Sequence, residues 1–439
     1  MVSLAYLTGA AAVAAAALLV ADTSAATFVS CPTAPAVPAD RRKDTTQLKY
    51  TTYNAEFLML GGFGSSPKCP GASCPWANVT ESEKHIAQVA KVIKTLDSDM
   101  VQLNEVDDCF ALQTLIKEIE LLGDTTYKPY LVRGTDTATG QNSAIITRVD
   151  PTTNLQRSEA TATIPVSGST CPPTSNISAK KGVTKHFFAT FNVPGFDKPI
   201  TVVGAHLLAN PQDNKRCFDR EAQATVLASI ADAAVLRGEH VILSGDINDF
   251  SKAVPDRNGS PAISNVLAIL AGTSMVETAA FTAQENRYSQ WWDRNTDCVY
   301  TTAEVSSLDH VLVSKSLAPS VTDVKFVHDI YTTSCNSYNS DHYPITVTIK
   351  AGGASTPTTA APTVAPTVAP APTPTTVSPT AAPTVAPAPT TVTPTVAPTP
   401  ATVVPSVAPT VAPTVAPTPT TKAPTPTTPE PTMPTKPSC

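Results

Sequence analysis

The chain has 439 residues, 42 of them proline and nine cysteine, and a formal net charge of −6. That acidic balance excludes a broad basic surface of the kind that tracks nucleic-acid backbones, while a groove with a few Arg and Lys stays compatible with it. The length would hold two or three average domains, but composition divides the chain unevenly.

An Ala/Leu/Val run over residues 4–20, followed by Asp22 and the small residues Thr23-Ser24-Ala25-Ala26, predicts a signal peptide at 1–26. No Lys or Arg precedes the run. A short extension over 27–47 leads into the main domain. Eight cysteines lie before residue 351, and in a secreted chain they predict disulfides in place of a zinc site. Proximity in sequence points to Cys69–Cys74 and Cys298–Cys335, with Cys439 left odd and free to cross-link to a partner. Sequons at Asn78, Asn176 and Asn258 predict glycosylated loops.

From 48 to 350 strand-like and helix-like segments alternate. A strand over 48–60 precedes a helix from Thr80, where Thr80 and Glu83 suit a capping box and Ile86, Val89, Ile93 and Leu96 recur at helical spacing. A strand over 100–106 and a helix over 110–122 follow. Further strands are expected over 130–133, 144–148, 186–192 and 200–207, the last two forming a hairpin about Pro194-Gly195. A helix over 219–236 leads into the apolar strand 241–244, and strands near 311–313, 324–327 and 345–349 close the domain. This pattern predicts one α/β domain, with mixed sheets inside and helices outside. Residues 351–439 are almost wholly Pro, Thr, Ala and Val, with only Lys422, Glu430 and Lys436 charged. Proline removes backbone donors and the stretch has nothing to bury, so an extended, O-glycosylated stalk is expected.

Short polar motifs punctuate the apolar runs. Asp246-Ile247-Asn248 sets a carboxylate and a carboxamide two residues apart, on one side if the backbone is extended; a turn or helix cap uses the same residues. A calcium loop is excluded because Phe250 stands where an oxygen ligand is required. Glu105 ends a strand and Glu56 follows Asn54 by two. Carboxylates at such places are costly unless paired or metal-bound, and oxygen donors suit Mg²⁺, with Mn²⁺ or Ca²⁺ as alternatives. Among seven histidines, His206 ends a strand, His342 follows Asp341, and Asp309 precedes His310. A carboxylate against an imidazole fixes its tautomer and raises its basicity.

Taken together and in order, Asn54 with Glu56, Asn104-Glu105, Ala205-His206-Leu207, Gly245-Asp246-Ile247-Asn248, Leu308-Asp309-His310 and Ser340-Asp341-His342 resemble the endonuclease/exonuclease/phosphatase superfamily. The resemblance covers 48–350 and implies a four-layered α/β sandwich. It also implies that Glu105 is the main metal ligand, with Asn54, Glu56 and Asp341 beside it. Asp246 would orient or deprotonate water, Asn248 would donate to phosphate, and Asp309 would hold His342 as general base or phosphate ligand. His206 would be a general acid. Residues 140–146 resemble the family's strand beside the scissile phosphate, which places Asn142 there. Arg216 and Arg220, before a helix opening at Glu221, would meet phosphate or lie on a solvated helix face.

The expected protein is a secreted, monomeric, metal-dependent phosphodiesterase, first of all an extracellular nuclease acting on nucleic acid, tethered to wall or matrix by its stalk. A sphingomyelinase-like phospholipase C, a phosphomonoesterase and a non-catalytic wall glycoprotein are the alternatives. Trp291-Trp292 is the one candidate for a membrane-contacting hairpin, and a buried aromatic pair is the simpler reading.

Overall fold

The computed structural model describes residues 28–60, 74–330 and 338–352. The expected signal peptide and stalk, together with Cys69, Cys335 and Cys439, lie outside them. Two sheets form the interior. One runs, edge to edge, through Val321–Phe326, Ile345–Lys350, Gln47–Leu58, Met100–Val106, Asn142–Thr147 and Lys128–Leu131. The other runs through Met275–Glu277, Asp309–Ser314, His240–Asp246, Ile200–His206 and Lys185–Phe191. Each contains one parallel pair, Gln47–Leu58 with Met100–Val106 and Ile200–His206 with His240–Asp246, among antiparallel neighbours. Both sheets are therefore mixed, and the expected hairpin pairs Lys185–Phe191 with Ile200–His206.

Alternation along the strands assigns the layers. Met100 joins Phe187, Val202, Ile242 and Val311 in an apolar seam between the sheets. Val101 and Leu103 face the other way, onto Ile86, Val89, Ile93, Leu112 and Leu115 of helices Val79–Leu96 and Cys109–Leu121. Val203, Val241, Leu243 and Leu312 likewise pack on Ala224, Leu227 and Ala231 of helix Asn214–Leu236. Helix, sheet, sheet, helix is the four-layered sandwich. Each fully buried aliphatic side chain contributes about 1.5–3 kcal/mol, so these three interfaces dominate the fold's stability.

Two helix starts differ from expectation. Asn78, not Thr80, caps the first helix, its side chain accepting from the Glu81 amide at 3.0 Å. Asp213 caps the third and accepts from the Arg216 amide at 2.8 Å, so that helix begins well before Glu221. Disulfides Cys31–Cys109 and Cys171–Cys217 tie loops to helices. Cys74 and Cys298 are also disulfide-bonded. Asn258 has its Nδ2 committed to the carbonyls of Thr302 and Val305, both at 2.8 Å, and that is the atom an N-glycan would need. Close packing of the second sheet requires Gly245. Its φ is 138°, and a Cβ there would lie 1.8 Å from the Ala205 carbonyl oxygen.

Candidate active site

The two parallel pairs end at the same end of the sandwich, and there the strands stop being regular. Pairing between the first two strands shifts register between Asn54 and Leu58, and pairing of the second strand with Asn142–Thr147 shifts between Leu103 and Val106. Glu56, Phe57 and Glu105 sit at φ of 45°, 48° and 63°, a backbone region that residues with a Cβ adopt at a cost. Continued alternation would send Glu105 to the helix-covered face with Val101 and Leu103. The left-handed residue turns it instead to meet Asn54, whose side chain faces the second sheet.

Asn54 is the bridge between the sheets. Its Nδ2 donates to Glu105 Oε1 at 3.1 Å and to Asp246 Oδ2 at 3.0 Å. Its Oδ1 accepts from the Glu56 amide at 3.0 Å. Asn54 therefore serves the carboxylates as a donor, which differs from its expected role as a metal ligand. Glu105 also accepts from the Phe57 amide at 3.0 Å and from Gln141 Nε2 at 2.7 Å. Glu56 Oε2 accepts from the Asp341 amide at 3.1 Å, which draws the 340–342 loop to the first sheet.

Across the cleft, the buried Asp309 Oδ2 lies 2.6 Å from His342 Nδ1. The other ring nitrogen of His342 lies 3.8 Å from Asp341 Oδ1, 3.9 Å from Asp246 Oδ2 and 3.4 Å from Gln290 Nε2. His206 Nε2 stands 3.5 Å from the same Asp246 oxygen. Asp246 and Asn248 share the site for a reason other than an extended backbone. Asn248 has a φ of 53°, and its amide donates to Asp246 Oδ1 at 3.0 Å, closing a turn that leaves Oδ2 for the cleft. Asn248 Nδ2 donates to the Leu207 carbonyl at 3.3 Å.

Three expected substrate contacts are placed elsewhere. Arg220 is fully buried within helix Asn214–Leu236, bound to Asp249 at 2.8 Å and to the carbonyls of Leu208, Asn210 and Pro211. It is neither a phosphate ligand nor part of a solvated face. Arg216, half-buried in the first turn of that helix, donates to the Ala209 carbonyl at 3.2 Å. Asn142 donates its Nδ2 to the carbonyls of Val106, Asp107 and Gly140, and its Oδ1 accepts from the Gly134 amide, which closes a loop. Its neighbour Gln141 is the residue that reaches Glu105.

Sequence reasoning also missed Lys185, whose Nζ lies 3.3 Å from Gln141 Oε1 and which pairs in register with His206. A signal existed: the hairpin that put His206 at the end of one strand put Lys185 opposite it. Gln290, which touches Asp341 and His342, had none.

Charge is tightly coupled here. Burial, reinforced by Asp341 and Glu105, raises Glu56 well above the ordinary carboxylate range. Burial also raises Glu105, with Asp341 adding and Lys185 opposing. Asp246 is pushed up to about 7, by burial first, with Asp309 and Glu105 adding and His342 opposing. Burial disfavours a charged His342, yet Asp309, Asp341 and Asp246 outweigh it and hold the imidazolium well above its usual value. His206 is driven well below by burial, then by Lys185 and His342. The pair thus divides into a cationic and a neutral imidazole.

No protein-family model and no curated protein matches this chain. Solved structures do match. TDP2 from C. elegans is 15% identical over 70% of this chain and 75% of that one, with a TM-score of 0.41. An endonuclease/exonuclease/phosphatase from Beutenbergia cavernae is 17% identical over 70% of this chain and 72% of that one, at 0.41. The human Nocturnin catalytic domain, solved with a bound sulfate anion, is 14% identical over 71% and 96%, at 0.41.

The donor set fits a hard divalent cation. Glu56 and Glu105 stand near the ends of adjacent strands and Asp341 on the 340–342 loop, and each of the two glutamates is raised by Asp341 as well as by burial. Oxygen donors repelling one another in a buried place are what such an ion relieves. Among the described residues of the site, it is Glu105, His206 and Asp246 that bring ligand atoms within 4.8 Å of one another, a mixed group of carboxylates and imidazole.

Proposed function

We propose that this chain is a metal-dependent phosphodiesterase of the endonuclease/exonuclease/phosphatase superfamily, with nucleic acid as its substrate. The observation that carries this reading is the Asn54 bridge, which joins an acidic cluster on one sheet to an Asp–His constellation on the other. Through that bridge Glu105, Asp246, His206, His342, Asp309 and Asp341 form one chain of neighbours whose links are each 3.9 Å or shorter.

Glu105, Glu56 and Asp341 would hold the cation, Mg²⁺ by its preference for few carboxylates and several waters. When bound, it supplies Lewis-acid polarisation of a phosphoryl oxygen. The chain's own groups account for the rest. Asp246, with Oδ2 facing the cleft and its proton affinity near neutrality, accepts the proton of the attacking water. His342, charged and fixed by Asp309, binds a phosphoryl oxygen and stabilises charge as it develops. Lys185, half-buried, adds a second cation on the Gln141 side. His206, as a neutral imidazole beside Asp246, orients that carboxylate. Glycans, the wall-attaching stalk and a partner for Cys439 belong to the same proposal, as does secretion; the disulfides support an oxidising compartment.

The test is an assay of the full chain with Mg²⁺, and again with chelator, on duplex DNA, single-stranded RNA and sphingomyelin in parallel. Chelator-sensitive cleavage of nucleic acid, lost in His342→Ala, is expected. Turnover of sphingomyelin alone would move the protein to phospholipase C chemistry, and turnover of none would refute the reading.

A further inference from the structure

The segment Gln290–Trp291 pairs with Val305–Ser306, and Gln290 also bridges to His342. The Trp291 amide donates to the Asp341 carbonyl at 2.9 Å, and the Trp292 amide to the Glu304 carbonyl at 3.0 Å. This short ribbon is therefore bolted to the loop that carries Asp341 and His342. Trp291 is half-buried against Tyr288, Val305 and Tyr343, with its ring 6.1 Å from Tyr300. Trp292 is different: it is 60% exposed, so the two tryptophans are not the buried pair that the sequence suggested.

The strand pairing covers Gln290 and Trp291, and the Trp292 amide carries the hydrogen bonding one residue further, to Glu304. Gln290 Nε2 reaches both Asp341 Oδ2 and His342 Nε2, each at 3.4 Å. An exposed indole thus follows, two residues on, the side chain that reaches Asp341 and His342, on a backbone held by hydrogen bonds on both sides. Beyond it the loop is polar. Asp293 and Asp297 accept from the amides of residues 297, 298 and 299, and Cys298 is disulfide-bonded.

We propose that Trp292 is a stacking platform for an unpaired nucleobase next to the scissile phosphodiester, and so selects single-stranded or locally opened nucleic acid. This rests on the phosphodiesterase reading and names its substrate class. Base–aromatic stacking tolerates any sequence, because every base presents a π-face to the ring. Insertion into a bilayer would carry Asp293, Arg294 and Asp297 into the interface beside a single indole, a costly exchange.

The test compares the full chain with Trp292→Ala and Trp292→Phe in Mg²⁺. Its probes are a fluorescein-labelled phosphorothioate octathymidylate and the same backbone without bases, read by anisotropy. Trp292→Ala should weaken binding of the octathymidylate on the order of tenfold or more, Trp292→Phe should recover most of it, and the abasic probe should bind all three alike. Equal affinity of wild type and Trp292→Ala for the octathymidylate would overturn the proposal. So would an alanine variant that loses only its binding to sphingomyelin vesicles. Base-dependent binding in a protein that hydrolyses no diester would sink the phosphodiesterase reading and leave the platform standing. Hydrolysis of nucleic acid without any dependence on Trp292 would do the reverse.

Discussion

Replacing Asp309 by Asn isolates the charge that fixes His342. The two side chains meet at 2.6 Å and are almost completely buried, with side-chain exposures of 5% and 1%. Asp309 Oδ1 has no hydrogen-bond partner among the described residues, so an asparagine can keep an oxygen toward His342 and turn its amide to the free side. Geometry survives and the charge is lost. A unit charge about 4 Å away contributes about 4 kcal/mol at the effective dielectric that suits protein sites. At about 1.4 kcal/mol per tenfold, that is a loss of roughly 10³ in kcat. Wrong-tautomer effects in another aspartate–histidine pair reach about 10⁴. The assay is Mg²⁺-dependent release of nitrophenolate from bis(p-nitrophenyl) phosphate, with a thermal melt to show that the fold is retained. A folded Asp309→Asn protein whose kcat stays within about tenfold of wild type would refute the assignment of His342 as a fixed cation in the reaction.

Glu105→Gln keeps the hydrogen bonds from Phe57 but removes a charge, so Mn²⁺ binding followed by electron paramagnetic resonance should weaken at least tenfold; unchanged affinity would move the metal elsewhere. Lys185→Met should lower kcat/KM with little change in melting temperature, and equal kinetics would make the lysine structural. Gly245→Ala should fail to fold, since its Cβ would meet the Ala205 carbonyl oxygen; a soluble, cooperative melt would contradict the strand spacing. Asp124 is held below the usual carboxylate range: burial opposes this, but hydrogen bonds from Thr126 and the buried Arg148 prevail. A depressed folded value means the stabilisation is complete above the unfolded value near 3.9 and is lost as pH falls through the folded one. Asp124→Asn should therefore cost about 3 kcal/mol at neutral pH, with the gap to wild type closing in acid, as urea melts across pH would show.

Much of the molecule was legible because the physics was local. Apolar runs such as 241–244 could be nothing but buried strand, and the spacing of Ile86, Val89 and Ile93 required a helix. The polar motifs stood out because each interrupts such a run. What stayed hidden depended on tertiary contacts. Arg220 looks like a phosphate ligand until a buried Asp249 claims it, and Asn142 looks catalytic until backbone carbonyls do. Gln290 reaches the site only because a two-residue ribbon, too short for any periodicity, is pinned to the 340–342 loop. The turn conformation of Glu105 was hidden as well, because it is not a glycine and nothing in its neighbours signals a positive φ, whereas a turn at Asp246–Asn248 was one of the two readings its residues allowed.

The Asn54 bridge has a consequence for how this protein can fail. One carboxamide touches Glu105 on one sheet and Asp246 on the other, so the cluster exists only while the two sheets are in register across their seam. A slip of an ångström between them, far short of unfolding, would part Glu105 from Asp246 before any strand is lost. On the proposed function, turnover is thus a more sensitive gauge of the seam than any spectrum of secondary structure, and warming should abolish it while the circular dichroism still looks native.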